Sequence, residues 1–470
     1  MAPTPLHYLS IAEAAELIKK KSLSPVELTD AILARIEAVE PQVRAFAAVL
    51  ADAARSEAKA AEAEIQKGQY RGPLHGIPVA VKDIIYSKGV ATKAGSQQMK
   101  DFVPTEDATA LVRLRQAGAI LVGKVVTHEF AYGVTSPPTN NPWNLDTVPG
   151  GSSGGSGAAV AAGEVLGALG TDTGCSVRNP AALNGITGVR ATQGRVSTFG
   201  VVPLSWSIDT VGPMTRSVRD AALMLNVVAG WDAKDPGSSS APVPDFTADL
   251  GNEIKGLKLG VPRGHFAEHL HPDVKNALDA AVHKFTDLGM EMRELELPTA
   301  KHAGNAFMGI IVPESAAYHQ RWLHHAAAEY GIDVRLFVEL GELMLAKDYL
   351  AAQKVRTLIR EDFGRALGDV DILLTPTVAA PAAKRHGHPI FVNVKHPDGY
   401  VEDVFWAYCR LTMPISMAGV PTLAIPGGFS QEGLPIGLQL TGRAFDEQTV
   451  FRVAYAYQEA TDWHLRRPPL

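Results

Sequence analysis

The sequence predicts an α/β fold with a largely buried sheet, and three observations lead there. Stretches with strand character alternate with stretches of helical periodicity along the chain. The strand candidates are short continuous apolar runs, as expected of strands covered on both faces. No solenoid-length repeat and no coiled-coil heptad accompanies them. The length, 470 residues, corresponds to about three domains on a scale of ~150 residues, although one α/β domain can be larger.

Taken in order, the chain begins with helices. Ser10-Ile11-Ala12-Glu13 fits a capping box, and so does Ser24-Pro25-Val26-Glu27, with proline at the first helical position. Leu28, Ile32, Ile36 and Val39 then recur at helical spacing. Gly76–Ile85 reads as a buried strand interrupted by Lys82 and Asp83. A helix near Ala108–Ala117 leads into a strand at Ala119–Val126. Pro137–Gly157 is irregular and is followed by a small-residue helix at Ala158–Gly163. Trp231–Gly251, rich in Asp, Pro and Ser, is a surface loop or a subdomain boundary. Beyond it come strands at Leu257–Val261 and Met292–Leu297, flanking an amphipathic helix at Pro272–Leu288. Residues 301–365 read as mostly helical, and Ile372–Leu374 and Thr422–Ile425 as short strands.

Composition narrows the function. Charged residues make up 20% and hydrophobic ones 46%, ordinary for a soluble enzyme, with a formal net charge of −6. That balance argues against a surface that coats nucleic acid and against a polybasic membrane patch. The two cysteines, Cys175 and Cys409, are too few for a disulfide framework or a cysteine zinc site. Residues 1–7 have no basic segment followed by an apolar core, so no secretory signal is read. The uncharged stretch Leu411–Gln431 carries Pro414, Pro421 and Pro426 besides three glycines, which rules it out as a lipid-exposed helix. A cytoplasmic protein is expected, with no membrane and no nucleic-acid partner.

Three short motifs point to other chemistries and fail on context. Gly118-x4-Gly123-Lys124 has the spacing of a phosphate loop, but Val125 stands where Ser or Thr would hold magnesium. Gly150-Gly151-Ser152-Ser153-Gly154 matches a nucleophile elbow, yet Asn144–Pro149 before it reads as a turn rather than a strand. His324-His325 and His386-x-His388 lack the i, i+4 spacing of helical metal ligands.

The informative stretch is Pro149–Arg190. It holds Pro-Gly-Gly-Ser-Ser-Gly-Gly-Ser-Gly from Pro149, Gly170-Thr-Asp-Thr-Gly-Cys-Ser-Val-Arg178, and Asn184-Gly-Ile-Thr-Gly-Val-Arg190. This run closely resembles the amidase signature family. Gly76-Ile-Pro-Val-Ala-Val-Lys-Asp, Asn141-Pro-Trp-Asn, Gly194-Arg-Val-Ser, Asp209-Thr-Val-Gly-Pro and Gly433-Leu-Pro-Ile-Gly-Leu-Gln are similar to further segments of it. The resemblance spans roughly residues 8–465 and is weakest over 300–405. It implies one large domain over residues 1–470, with a mixed, mostly buried central sheet covered by helices. Within it would lie a helical segment at about 8–65, a signature core at about 66–230 and a variable helical region at about 300–365.

The resemblance also implies a Ser–cis-Ser–Lys triad, with Ser176 as nucleophile, Ser152 as bridging serine and Lys82 as base. Backbone amides of Thr173, Gly174, Cys175 and Ser176 would face the oxyanion, while Ser153, Asp172 and Arg178 would support the loop. No metal or cofactor is implied. The residue types fit the chemistry. A lysine at its reference pKa of about 10.4 is a poor base at neutral pH, and burial in an apolar strand lowers that value. A Lys82–Asp83 ion pair is disfavoured because neighbouring strand residues face opposite ways. Cys175 departs from the family's usual glycine, and Val189-Arg-Ala-Thr192 from its commoner Leu-Lys-Pro-Thr; Arg190 keeps the positive charge and is read as structural.

The implied activity is hydrolysis of small linear carboxylic amides, with esters and carbamates (urethanes) as related acyl substrates. The alternative is the amidase subunit of a glutamyl-tRNA amidotransferase. Gly194-Arg-Val-Ser and Gly123–Gly133 are similar to that branch, but its glutamine-binding pattern is not found. A small-molecule amide is the expected partner, with a homodimer left open. The pocket is expected between the 130–136 loop and the helices of 300–350. Phe130 and Tyr132 are candidate wall residues, and Met308, Ile311, Leu336, Phe337 and Met344 suggest apolar acyl groups.

Overall fold

Ser10 Oγ accepts from the Glu13 amide while the Glu13 carboxylate accepts from the Ser10 amide, so the first capping box forms as read. The second is only half made. Ser24 Oγ caps the helix Pro25–Val43 by accepting from Val26 and Glu27, but its hydroxyl is turned to Glu62 at 2.5 Å. The computed structural model that establishes these contacts describes residues 4–385 and 392–470; His386 and His388 lie outside the described residues.

The strands are β1 (Phe46–Val49), β2 (Pro78–Lys82), β3 (Ile120–Val125), β4 (Gly167–Asp172), β5 (Thr187–Arg190), β6 (Thr210–Thr215), β7 (Lys258–Pro262), β8 (Glu291–Leu295), β9 (Ile372–Pro376), β10 (Asn393–Lys395), β11 (Val401–Asp403), β12 (Thr422–Phe429) and β13 (Pro435–Thr441). Eleven of them form one sheet in the order β1-β3-β2-β4-β6-β5-β12-β13-β9-β7-β8, and β10 and β11 make a separate pair. Pairing is mixed: β2 runs parallel to β3 and β4, β6 is antiparallel to β4 and β5, and β12 is antiparallel to β5 and β13. Strands β2, β3, β4, β5, β6, β9 and β13 are buried at every residue; β2, β3 and β9 read as short apolar runs, whereas β4, β5, β6 and β13, broken by Gly, Thr and Pro, do not read as strands in the sequence. The architecture is therefore a single α/β domain with a large mixed sheet flanked by helices.

Two differences from the sequence reading have local causes. The small-residue helix starts at Gly154, four residues before the expected Ala158, and ends at Ala162. Its glycines cost helix propensity, but all nine residues are buried and packing decides the conformation. Strand β12 runs on through Pro426, Gly427 and Gly428 to Phe429, with a register shift between Pro426 and Gly428 that lets the proline lie in the strand.

One large apolar cluster joins the N-terminal helices to the sheet. A second lies among the helices Ala303–Ala326, Ile332–Glu342 and Ala346–Asp369 and reaches Cys175, Leu183 and Cys409. The loop after β4 therefore sits at the meeting of sheet and variable helices. No helix among the described residues is long and apolar enough to cross a membrane.

Candidate active site

Strand β2 delivers Lys82 at its last residue, fully buried. Lys82 Nζ lies 2.7 Å from Ser152 Oγ and 2.9 Å from Thr171 Oγ1, the latter on neighbouring β4. Burial pushes the Lys82 amine down to about 7, against the smaller opposing pull of the Asp209 and Asp172 charges. Asp83 faces the other way, as strand alternation requires, and pairs with Lys124 at 3.3 Å. Lys124 also donates to the Ile85 carbonyl and Thr92 Oγ1, so the lysine of the phosphate-loop look-alike is a buried brace on β3.

Ser152 belongs to a loop that only glycine can begin. Gly150 has φ +80°, and a Cβ there would lie 2.5 Å from Asn179 Oδ1. The Gly151–Ser152 peptide is cis. The Ser152 carbonyl accepts from the His128 amide at 3.0 Å and from Ser136 Oγ at 2.8 Å, which ties the loop to the 126–136 segment. Ser153 links it to the other two pieces. Its Oγ donates to the Thr171 carbonyl and accepts from the Thr171 amide, and its own amide donates to the Ser176 carbonyl.

Ser176, 4% exposed, lies in the turn between β4 and the helix Arg178–Asn184. Asp172 shapes that turn. Its carboxylate accepts from the amides of Val177 and Arg178 and from the Arg178 and Arg190 guanidinium groups. Burial alone would raise the Asp172 carboxyl, but the two arginines outweigh it and hold it well below the usual carboxylate range. Arg178 also donates to the Gly174 carbonyl at 2.9 Å and to Ser416 Oγ at 2.7 Å, while Ser416 donates to the same Gly174 carbonyl. With the carbonyl fixed on that side, the amides of Gly174, Cys175 and Ser176 have no acceptor among the described residues. Such a row of unpaired donors is what a developing oxyanion needs.

Cys175 packs away from these amides. Its Sγ lies 3.8 Å from the Gly151 carbonyl oxygen, and its backbone avoids the left-handed region, so a Cβ here strains nothing. Arg190 proves closer to the site than the sequence suggests. It donates to the Asp172 carbonyl and carboxylate and to the Ile208 carbonyl, bracing the loop from below.

The sequence reading gave no role to Thr171 or Asp209. Asp209 is half-buried just before β6, accepts from Thr173 Oγ1 at 2.5 Å and from the amides of Leu204 and Ser205, and is pushed up to about 6 by desolvation against those hydrogen bonds. The available signal was an acid set between Ile208 and Val211 in an otherwise apolar segment.

Phe130 and Tyr132 are both buried. The Phe130 ring meets His319 edge-on at 4.3 Å and packs near Trp322 and Tyr330, and Tyr132 stacks on Phe337 at 5.2 Å. They lock the 128–136 loop to the helices Ala303–Ala326 and Ile332–Glu342. A cavity of about 650 Å³ opens beside that loop and is lined by Thr127, His128, Thr135, Asp333, Lys384 and Arg385 among others. It borders the expected region at Thr135, Ile332 and Asp333, but Phe130, Tyr132, Met308, Ile311, Leu336, Phe337 and Met344 do not line it, and neither do Lys82, Ser152 and Ser176. His128 Nε2 and Asp333 Oδ2, 2.9 Å apart, close one wall. No cluster of three or more His, Cys, Asp or Glu among the described residues is placed to hold a metal ion.

A family model described as Amidase matches residues 27–451 of this chain. The chain is 44% identical over 498 aligned residues to a glutamyl-tRNA(Gln) amidotransferase subunit of Roseiflexus sp. (strain RS-1), covering 99% of each. It is also 44% identical over 463 residues to an amidase of Pseudomonas putida, covering 98% of each. Among solved structures, one from a vestigial protein complex bearing on the evolutionary origins of an s-triazine catabolic enzyme has a TM-score of 0.91 at 32% identity, covering 96% of this chain and 98% of that one.

Proposed function

The chain belongs to the amidase signature family, and we propose that it is a free-standing serine hydrolase that cleaves carboxylic amide C–N bonds through an acyl-enzyme on Ser176. The observation that carries this reading is the 2.7 Å contact between Lys82 Nζ and Ser152 Oγ, with the lysine buried enough to be largely neutral above pH 7. Neutral Lys82 takes the Ser152 proton as Ser152 takes that of Ser176, and Ser176 Oγ attacks the carbonyl carbon. The amides of Gly174, Cys175 and Ser176 receive the oxyanion. The proton held on Lys82 then returns through Ser152 to the departing nitrogen, the C–N bond breaks, and an ester remains on Ser176. Water attacks that ester with the same relay taking its proton and returning it to Ser176, which releases the acid.

Alignment lengths favour the free-standing reading over the amidotransferase one. The 498 aligned positions with the Roseiflexus protein exceed this chain's 470 residues, so that match opens at least 28 gap positions in it, whereas the Pseudomonas putida amidase aligns over 463 positions at equal identity. The near-complete match to the amidotransferase protein supports the second reading, in which ammonia from an amide passes to a partner-bound glutamyl-tRNA. The cavity beside the 128–136 loop combines His128, Asp333, Lys384 and Arg385 with apolar Ile332 and Val404, and Lys82, Ser152 and Ser176 do not line it, so it does not decide between polar and apolar acyl groups.

The test is hydrolysis by the purified chain alone against a panel of anilides, aliphatic amides, esters and carbamates, with fluorophosphonate labelling mapped to a residue. Labelling of Ser176 with turnover of simple amides supports the first reading. Glutamine-only turnover that requires partner subunits supports the second.

A further inference from the structure

Lys82 becomes an ammonium each time the relay runs, in a place where both groups it touches, Ser152 Oγ and Thr171 Oγ1, are neutral hydroxyls. A buried charge needs a counter-charge, and the sheet brings two acids to this end. Strands β2, β4 and β6 are adjacent, Asp172 ends β4 opposite Thr210, and Asp209 directly precedes β6. Asp172 is already matched by Arg178 and Arg190. Asp209 makes no ion pair within 4 Å among the described residues and is held instead by neutral donors: Thr173 Oγ1 and the amides of Leu204 and Ser205.

We propose that Asp209 is a positioning residue that supplies the counter-charge for the Lys82 ammonium while fixing Thr173 at the start of the Ser176 loop. The inference rests on Lys82 being the base. Among the charges that raise the Lys82 amine, that of Asp209 is the largest, ahead of Asp172 and Cys175. The other charged groups facing Asp209 are Arg190, attractive, and Glu314 on the helix Ala303–Ala326, which opposes its ionisation. Glu314 is itself occupied by Ser205 Oγ at 2.5 Å and the Tyr349 hydroxyl at 2.9 Å. One carboxylate thus reaches both halves of the chemistry. It stabilises the proton on the lysine and orders the loop that carries the nucleophile.

The test is the pH dependence of kcat/KM for a small amide in wild type, Asp209→Asn, Thr173→Val, Thr173→Ser and Lys82→Arg. Removing the Asp209 charge lowers the lysine pKa, so the acid limb of Asp209→Asn moves down by about one pH unit or more while the alkaline plateau falls. Thr173→Val, which removes a hydrogen bond that keeps Asp209 ionised, moves the limb the same way by less, and Thr173→Ser restores it. Thr173→Val carries the test should Asp209→Asn fail to fold. A limb that coincides with wild type, with activity lost evenly at every pH, overturns the proposal and leaves Asp209 as mere scaffolding. If instead Lys82→Arg keeps its amide activity, the base assignment itself fails. With Lys82→Arg inactive and the Asp209→Asn limb unmoved, only the counter-charge fails.

Discussion

Gly174 presents its bare Cα to the ring of Phe307: a Cβ at that position would lie 2.7 Å from Cζ. The loop that carries Ser176 is thereby fitted directly against the helix Ala303–Ala326 of the variable region. Real Cβ atoms do not approach that closely, so Gly174→Ala must displace either the ring or the loop.

We expect Gly174→Ala to lower kcat at least tenfold with little change in KM, because the displaced amides are those offered to the transition state rather than to the ground state. Combining it with Phe307→Ala frees the space and recovers part of the loss. Steady-state kinetics on the two single variants and the double variant check this; an additive double variant would show the two residues to be uncoupled.

Ser176→Ala should abolish both amide turnover and fluorophosphonate labelling while leaving the melting temperature close to wild type, since only one hydroxyl oxygen is removed. Ser152→Ala should also be inactive on amides, having lost the hydroxyl proposed to pass a proton between Ser176 and Lys82. Should Ser176→Ala turn over at the wild-type rate while Ser152→Ala is dead, the nucleophile is Ser152.

The rate should rise with pH through an ionisation near 7, because the Lys82 amine pushed down to about 7 is active in its neutral form. Lys82→Arg cannot deprotonate at that pH and should match Lys82→Ala on amides. A matched ester with a good leaving group needs less protonation on departure, so Lys82→Ala should lose more on the amide. The kcat/KM ratio of the pair measures the difference.

Arg178→Met should destabilise the fold by about 3–5 kcal/mol, since it leaves Asp172 buried with one guanidinium instead of two. The Asp172 carboxyl is held below its ordinary value, so its contribution is complete above the unfolded pKa of ~3.9 and is lost as pH falls below that. Urea unfolding at pH 7 and at pH 3 should show the gap between wild type and Asp172→Asn narrowing at the lower pH.

Part of the fold and the Lys82–Ser152 contact were legible in the sequence for different reasons. Buried strands such as β2 and β3 announce themselves as apolar runs, and the signature residues stand in a long distinctive string. Lys82 and Asp83 could be assigned opposite faces from alternation alone, and Lys124 takes up the acid. Thr171 and Asp209 were not legible because their roles come from strand adjacency: β2 meets β4 and β4 meets β6 across many residues of sequence. The early start of the helix at Gly154 was hidden by glycines whose low propensity is overridden by burial. The cavity lining was not legible because Leu336 and Phe337 lie away from it, while one wall is built by His128 and Asp333 from distant segments of the chain.

The position of β12 between β5 and β13 bears on how the molecule is made. The edge of β5 is closed only by Thr422–Ala424, so the part of the sheet from β1 to β5, which carries Lys82, keeps an unpaired strand until the ribosome has passed those residues and released them from its tunnel. An unpaired edge invites association with other chains. Nascent or prematurely terminated chains that stop before residue 422 therefore contain Lys82, Ser152 and Ser176 yet leave that edge of β5 uncovered.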